Sequence, residues 1–136
     1  MIVILDTNVV LVSISSKSDS HPIFTSLIQG DYSIAVTTDI LLEYEEKIEE
    51  HMGKETAENT IKALLRSPFA YQIPIYYFWQ LLSKDQDDNK FSDCVVAANA
   101  DYLVTDDKDF KVLSLIKFPK INVISKAQFL ELLSEI

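Results

Sequence analysis

The chain has one cysteine, two glycines and a single arginine in 136 residues, and each scarcity excludes something. A lone thiol, Cys94, forbids an intrachain disulfide. Set among Val95, Val96, Ala97 and Ala98, it reads as a small buried hydrophobe rather than a nucleophile. With two glycines and four prolines there is no linker of Gly, Pro or Ser, and no repeat is visible, so one domain over residues 1–136 is expected. No apolar run approaches the roughly 18 residues of a membrane span. The first, Ile2 to Leu5, is interrupted by Asp6 and follows no basic segment, so neither a secretory signal nor a membrane role is expected. A cytoplasmic protein is the natural reading. Basic residues are scarce as well: 12 Lys+Arg stand against 21 Asp+Glu, a net charge of −9, with Arg66 the only arginine. The broad basic surface of a general nucleic-acid binder is therefore absent.

What is present is a core and an uneven distribution of acids. At 48% hydrophobic the chain can fold without disulfide or structural metal. Ile2 to Leu5 reads as a strand buried on both faces, and the alternating, β-branched Tyr32 to Thr37 as another. Helices are expected over Val9 to Ile14, His21 to Gln29, Asp39 to Met52 (capped by Thr38) and Glu55 to Arg66. Gly30 and Gly53 are placed to close two of them. Pro68 and Pro74 break the stretch around Phe69 to Trp79, which reads as a strand followed by a turn. Asp87 to Ala100 is expected as one helix, then a strand Tyr102 to Thr105, a short helix Asp107 to Leu113 and a strand Ile121 to Ile124. Ser125 and Gln128 make a capping box opening a last helix, Lys126 to Ser134. Strands alternating with helices predict a three-layer α/β domain with a mainly parallel central sheet flanked by helices.

In such sheets the ligand crevice lies outside the carboxyl ends of the strands. Asp6 directly follows the first strand, Asp106 and Asp107 follow the strand Tyr102 to Thr105, and Glu43 lies early on the helix after the second strand. Eight aspartates fall between Asp85 and Asp109. Asp93 sits between Phe91 and an apolar run, an awkward place for a decorative charge. Asp88, five residues earlier, projects about 140° away on a continuous helix, and so ranks behind it. Asp85 and Asp87 read as a solvated turn, and at least one of Asp106, Asp107 and Asp109 as a helix cap. Carboxylates about 4 Å apart repel by roughly 4 kcal/mol at an effective dielectric near 20. Several at one crevice must protonate or share a hard cation, and oxygen ligands without His or Cys suit Mg²⁺ or Mn²⁺.

The segments "ILDTNVV" and "DQDDNKFSDCVVAANADYLVTDDKDF", with the β/α order between them, resemble the PIN-domain family. They are most similar to its small prokaryotic branch of toxin-antitoxin toxins, which includes VapC-like ribonucleases. The resemblance covers essentially the whole chain. It implies a Mg²⁺- or Mn²⁺-dependent endoribonuclease acting on RNA, a homodimer and a cognate antitoxin. Position by position it implies catalytic, metal-holding acids at Asp6, Glu43, Asp93 and Asp107, a further acid at Asp88, and supporting polar groups at Thr7, Asn8 and Thr105.

Other readings stay open from the residues alone. The domain could bind RNA or a protein without catalysis, or be a Mg²⁺-dependent phosphatase or phosphoacceptor using Asp6 as nucleophile. The absence of a second aspartate two residues after Asp6 argues against one phosphatase pattern. DNA would serve the same metal chemistry as RNA. Lys90, inside the acidic motif, is placed to pair with a carboxylate or touch phosphate. The lysines from Lys108 to Lys126 form the one basic stretch, which reads as solvated loops, with an RNA-backbone contact the sharper alternative because it follows the site acids. Trp79 and Tyr76 to Phe78 read as core or dimer surface, with base stacking the sharper alternative.

Overall fold

The computed structural model describes all 136 residues. Five strands form one parallel sheet: β1 (Ile2–Leu5), β2 (Ser33–Val36), β3 (Ala70–Gln72), β4 (Tyr102–Val104) and β5 (Val123–Ile124), in the order β3-β2-β1-β4-β5. Val3, Ile4 and Leu5 of β1 and Ile34, Ala35 and Val36 of β2 are buried on both faces of the sheet, which is why these strands are runs of apolar residues rather than alternating ones. The helices are α1 (Thr7–Ile14), α2 (His21–Gln29), α3 (Thr38–Met52), α4 (Lys54–Arg66), α5 (Asn89–Ala98) and α6 (Lys126–Ser134), flanking the sheet in the expected three-layer arrangement. Two 3-10 turns, Gln86–Asp88 and Lys108–Leu115, precede α5 and follow β4. None of these helices is long and apolar enough to cross a membrane.

The chain builds outward from β1 through β2 to β3, then returns to place β4 on the other side of β1. The strand order therefore reverses between β1 and β4, the point where open parallel sheets leave a crevice at their carboxyl ends. The pairing of Leu5 with Val104 carries both strands to the same level. One further bond, from the Asp6 N–H to the Val104 carbonyl at 3.0 Å, fixes the first residue beyond β1 beside the end of β4.

Local chemistry sets the boundaries. Asp6 is extended, and its carbonyl accepts from Val9 and Val10, so α1 starts at Thr7 rather than at Val9. Thr37, not Thr38, caps α3, its hydroxyl accepting from the Ile40 N–H at 3.2 Å. Gly30 closes α2 in the left-handed conformation with φ +85°; a Cβ there would lie 2.5 Å from the Phe69 ring. Gly53 also has positive φ but is not in the helix-closing left-handed region. The Ser125–Gln128 capping box forms as expected.

Two expectations change. The single helix over 87–100 is a 3-10 turn followed by α5, which stops when Asn99 turns left-handed (φ +50°) and donates to the Val95 and Val96 carbonyls. The stretch after Pro68 contributes only the short β3, and residues 73–82 run on without regular structure. Side chains of α5 dock this segment. Asn89 Oδ1 accepts from the Leu82 N–H at 2.8 Å while its amide donates to the Leu82 carbonyl at 3.0 Å, and Asp93 Oδ1 accepts from the Trp79 N–H at 3.0 Å. Backbone groups that a strand would have paired are thus satisfied by side chains.

Candidate active site

The carboxylates meet where β1 and β4 end. Asp6 is 7% exposed, and one of its oxygens accepts from the Thr105 hydroxyl at 2.8 Å. The same Thr105 oxygen accepts the Asp107 N–H at 3.0 Å. This one buried hydroxyl therefore sets both the rotamer of Asp6 and the path of the chain that carries Asp107. Asp107 in turn accepts the Asp109 N–H at 2.9 Å and caps the 3-10 turn that follows β4. The open crevice beside these acids is lined by Asp6, Asn8, Val9, Asp106, Asp107 and Lys126. On that wall Asp106 accepts the Lys126 N–H at 2.9 Å, tying it to the start of α6.

Glu43 reaches the same region from α3. Its neighbour Tyr44 is fully buried and donates to the Leu5 carbonyl at 2.5 Å, which ties α3 to the end of β1. One Glu43 oxygen then accepts from the Thr7 hydroxyl and the other lies 2.8 Å from the Lys90 ammonium. Lys90 also pairs with Asp87 at 3.1 Å. Burial alone would pull the Lys90 ammonium down, but its bonds to Glu43 and Asp87 outweigh that and hold it above the ordinary lysine range.

Electrostatics show which acids share a field. Burial raises the Asp6 carboxyl; the bonds from Thr105 and the Thr7 backbone oppose this, and the charges of Asp107 and Glu43 push it further up. Asp88 is pushed up to about 7, by burial first and then by Asp85, Asp6, Asp107 and Glu43. Asp88 makes no side-chain cap to α5 and no other side-chain hydrogen bond, so nothing offsets that repulsion. The structure thus brings Asp6, Glu43, Asp88 and Asp107 into one field. Asp88 gets there from the 3-10 turn that leads directly into α5.

Asp93 stands outside this field. It is 4% exposed and raised by burial, the Trp79 N–H opposing; no other acid contributes to its shift. Its burial is accounted for by the docking of the 73–82 segment. Asn8 is exposed at the crevice, while Thr7 and Thr105 are buried beneath it. Cys94 is fully buried, and burial together with Asp93 pushes its thiol up to about 12, far from nucleophilic use. His21 and His51 bond to the carbonyls of Ser13 and Lys47 and take no part. No local pattern signals that Asn89 pins Leu82, and Lys126, the end of the basic stretch, lines the crevice.

The donor set is all oxygen and carries mutual repulsion, which a hard divalent cation would relieve. No three of these acids are drawn together closely enough to form a ready-made metal centre. The residues fit such an ion by the chemistry of their donors.

A doubly wound α/β domain with a carboxylate crevice at its switch point is the class defined by this fold and site. The PIN domain family profile matches residues 2–109, and the chain belongs to that family. Among solved structures, VapBC2 from Rickettsia felis, bound to a DNA fragment from its promoter, is similar with a TM-score of 0.64 at 22% identity, covering 92% of this chain and 98% of that one. VapC20 of Mycobacterium tuberculosis, a toxin that cleaves the sarcin-ricin loop, is similar with a TM-score of 0.60 at 12% identity, covering 79% and 92%. No curated protein sequence matches the chain.

Proposed function

We propose that this protein is a Mg²⁺- or Mn²⁺-dependent endoribonuclease and the toxin of a toxin–antitoxin pair. The observation that carries the reading is the gathering of Asp6, Glu43, Asp88 and Asp107 near the switch point, where burial first and the neighbouring acids after it push Asp88 up to about 7. Groups so perturbed in a cleft are where function concentrates. Asp6, Asp88 and Asp107 are the acids that would hold a divalent ion, with Glu43 beside them. Such an ion, when bound, supplies a nucleophilic water at neutral pH and offsets charge building on a phosphodiester.

The chain's own residues do the positioning. Thr105 holds the Asp6 carboxylate and the backbone of Asp107 in fixed relation, and Thr7 with Lys90 orients Glu43. Asn8 and Lys126, on the crevice wall, are placed to contact a phosphate or ribose oxygen. Asp93 supports the 73–82 segment and is not assigned to catalysis, which departs from what the family resemblance implies for it. The toxin role, RNA as substrate, an antitoxin partner and a homodimer rest on the PIN family and on the VapC character of the two similar structures.

The test is cleavage of labelled single-stranded and hairpin RNA, and of matching DNA, with Mn²⁺, Mg²⁺ or EDTA, using wild type and Asp6→Asn. RNA cleavage that needs the metal and falls at least a hundredfold in the folded variant is expected. Equal trace activity in both proteins would refute the nuclease reading.

A further inference from the structure

One cation is already paired with Glu43, the acid that α3 brings to the site. The Lys90 side chain is 15% exposed and lies 2.8 Å from Glu43, itself 18% exposed. The ion pairs Lys47–Glu50, Lys54–Glu58 and Lys84–Asp109 involve side chains that are 39% to 83% exposed, and so are surface pairs of little consequence. Lys90 is different in kind: a half-desolvated ammonium held between Glu43 and Asp87, against the Phe91 ring at 5.8 Å. Both oxygens of Glu43 are occupied, one by Lys90 and one by Thr7. The Asp88 carboxylate, by contrast, makes no side-chain hydrogen bond.

We infer that the crevice takes one divalent ion rather than two, with the Lys90 ammonium standing where a second would sit. This rests on the reading of the acids as a metal site. A second ion about 3.5–4 Å from the first would have to draw a ligand from Glu43, whose oxygens are taken, and would meet a fixed positive charge at its side. The ammonium has three N–H donors and uses two on Glu43 and Asp87. The third is available to a phosphate oxygen, so one tethered group would both balance the acids and orient the substrate.

The experiment counts Mn²⁺ bound to the full chain, by calorimetry and by the electron paramagnetic resonance signal of free Mn²⁺, with thermal melting to check each fold. Wild type should bind one ion per chain and Lys90→Arg one. Lys90→Met should bind two, because Glu43 and Asp87 lose their counter-charge. Two ions in wild type, or one in a folded Lys90→Met, would overturn the inference while leaving the carboxylate site standing. Asp6→Asn should lose the first ion. Unchanged binding in Asp6→Asn, or none in wild type, would instead remove the metal site and this inference with it.

Discussion

Replacing Asp88 by Asn should stabilise the metal-free protein while destroying its function. The Asp88 carboxyl is raised from about 3.8 to about 7. At about 1.36 kcal/mol for each unit, the full shift would correspond to about 4 kcal/mol. The side chain is partly open to water, and screening reduces this to an expected 1–2 kcal/mol, on the order of a surface-to-buried compromise. The sign follows from proton binding. Between about pH 4 and pH 7 the folded protein binds the Asp88 proton more tightly than the unfolded chain does. Stability contributed by this group is therefore present below pH 4 and lost as pH rises through about 7. Asn carries no charge and no cap bond to α5 is forfeited, so the variant escapes that loss. In EDTA at pH 8, thermal unfolding should rise by roughly 3–8 °C for a domain of this size, and the gap should close near pH 4. Added Mn²⁺ should reverse the order by stabilising only the wild type. An Asp88→Asn protein less stable than wild type at pH 8, or equally stabilised by Mn²⁺, would refute this reasoning.

Further substitutions probe the supporting bonds. Thr105→Val keeps the shape but removes the hydroxyl shared by Asp6 and Asp107; a loss of about 1–2 kcal/mol in urea unfolding and at least a tenfold drop in cleavage are expected. Tyr44→Phe strips the buried bond to the Leu5 carbonyl and should cost about 1–3 kcal/mol, with cleavage reduced because Glu43 loses its anchor. Asp93→Ala leaves the Trp79 N–H without its acceptor, and should change tryptophan fluorescence and speed proteolysis within 73–82 while Asp93→Asn does neither. Ser125→Ala breaks the capping box of α6 and should lower stability by about 1 kcal/mol without touching the acids.

The parts legible from sequence were those governed by local pattern. Ile2 to Leu5 and Ser33 to Val36 are apolar runs because the strands are buried on both faces, and Ser125 with Gln128 is a local capping signal. Asp6 and Asp107 followed from strand ends and the crevice rule. Asp88 and Asp93 diverge, as a projection about 140° apart implies, but the spacing does not say which of them faces Asp6; the charges of Asp6, Asp107 and Glu43 act on Asp88 and not on Asp93. The bond from the Trp79 N–H to Asp93 was not legible, because Trp79 belongs to a segment with no regular pattern of its own. The Lys90–Glu43 pair joins residues from two separate helices, and no local signal could fix which carboxylate Lys90 would choose.

The most direct test compares metal-dependent RNA cleavage by Asp88→Asn and Asp93→Asn under identical conditions, each variant first shown to be folded. Cleavage should fall at least a hundredfold in Asp88→Asn and stay within a few-fold of wild type in Asp93→Asn, since only Asp88 shares the field of Asp6, Glu43 and Asp107. The reverse order, with Asp93→Asn inactive and Asp88→Asn active, would contradict the site described above.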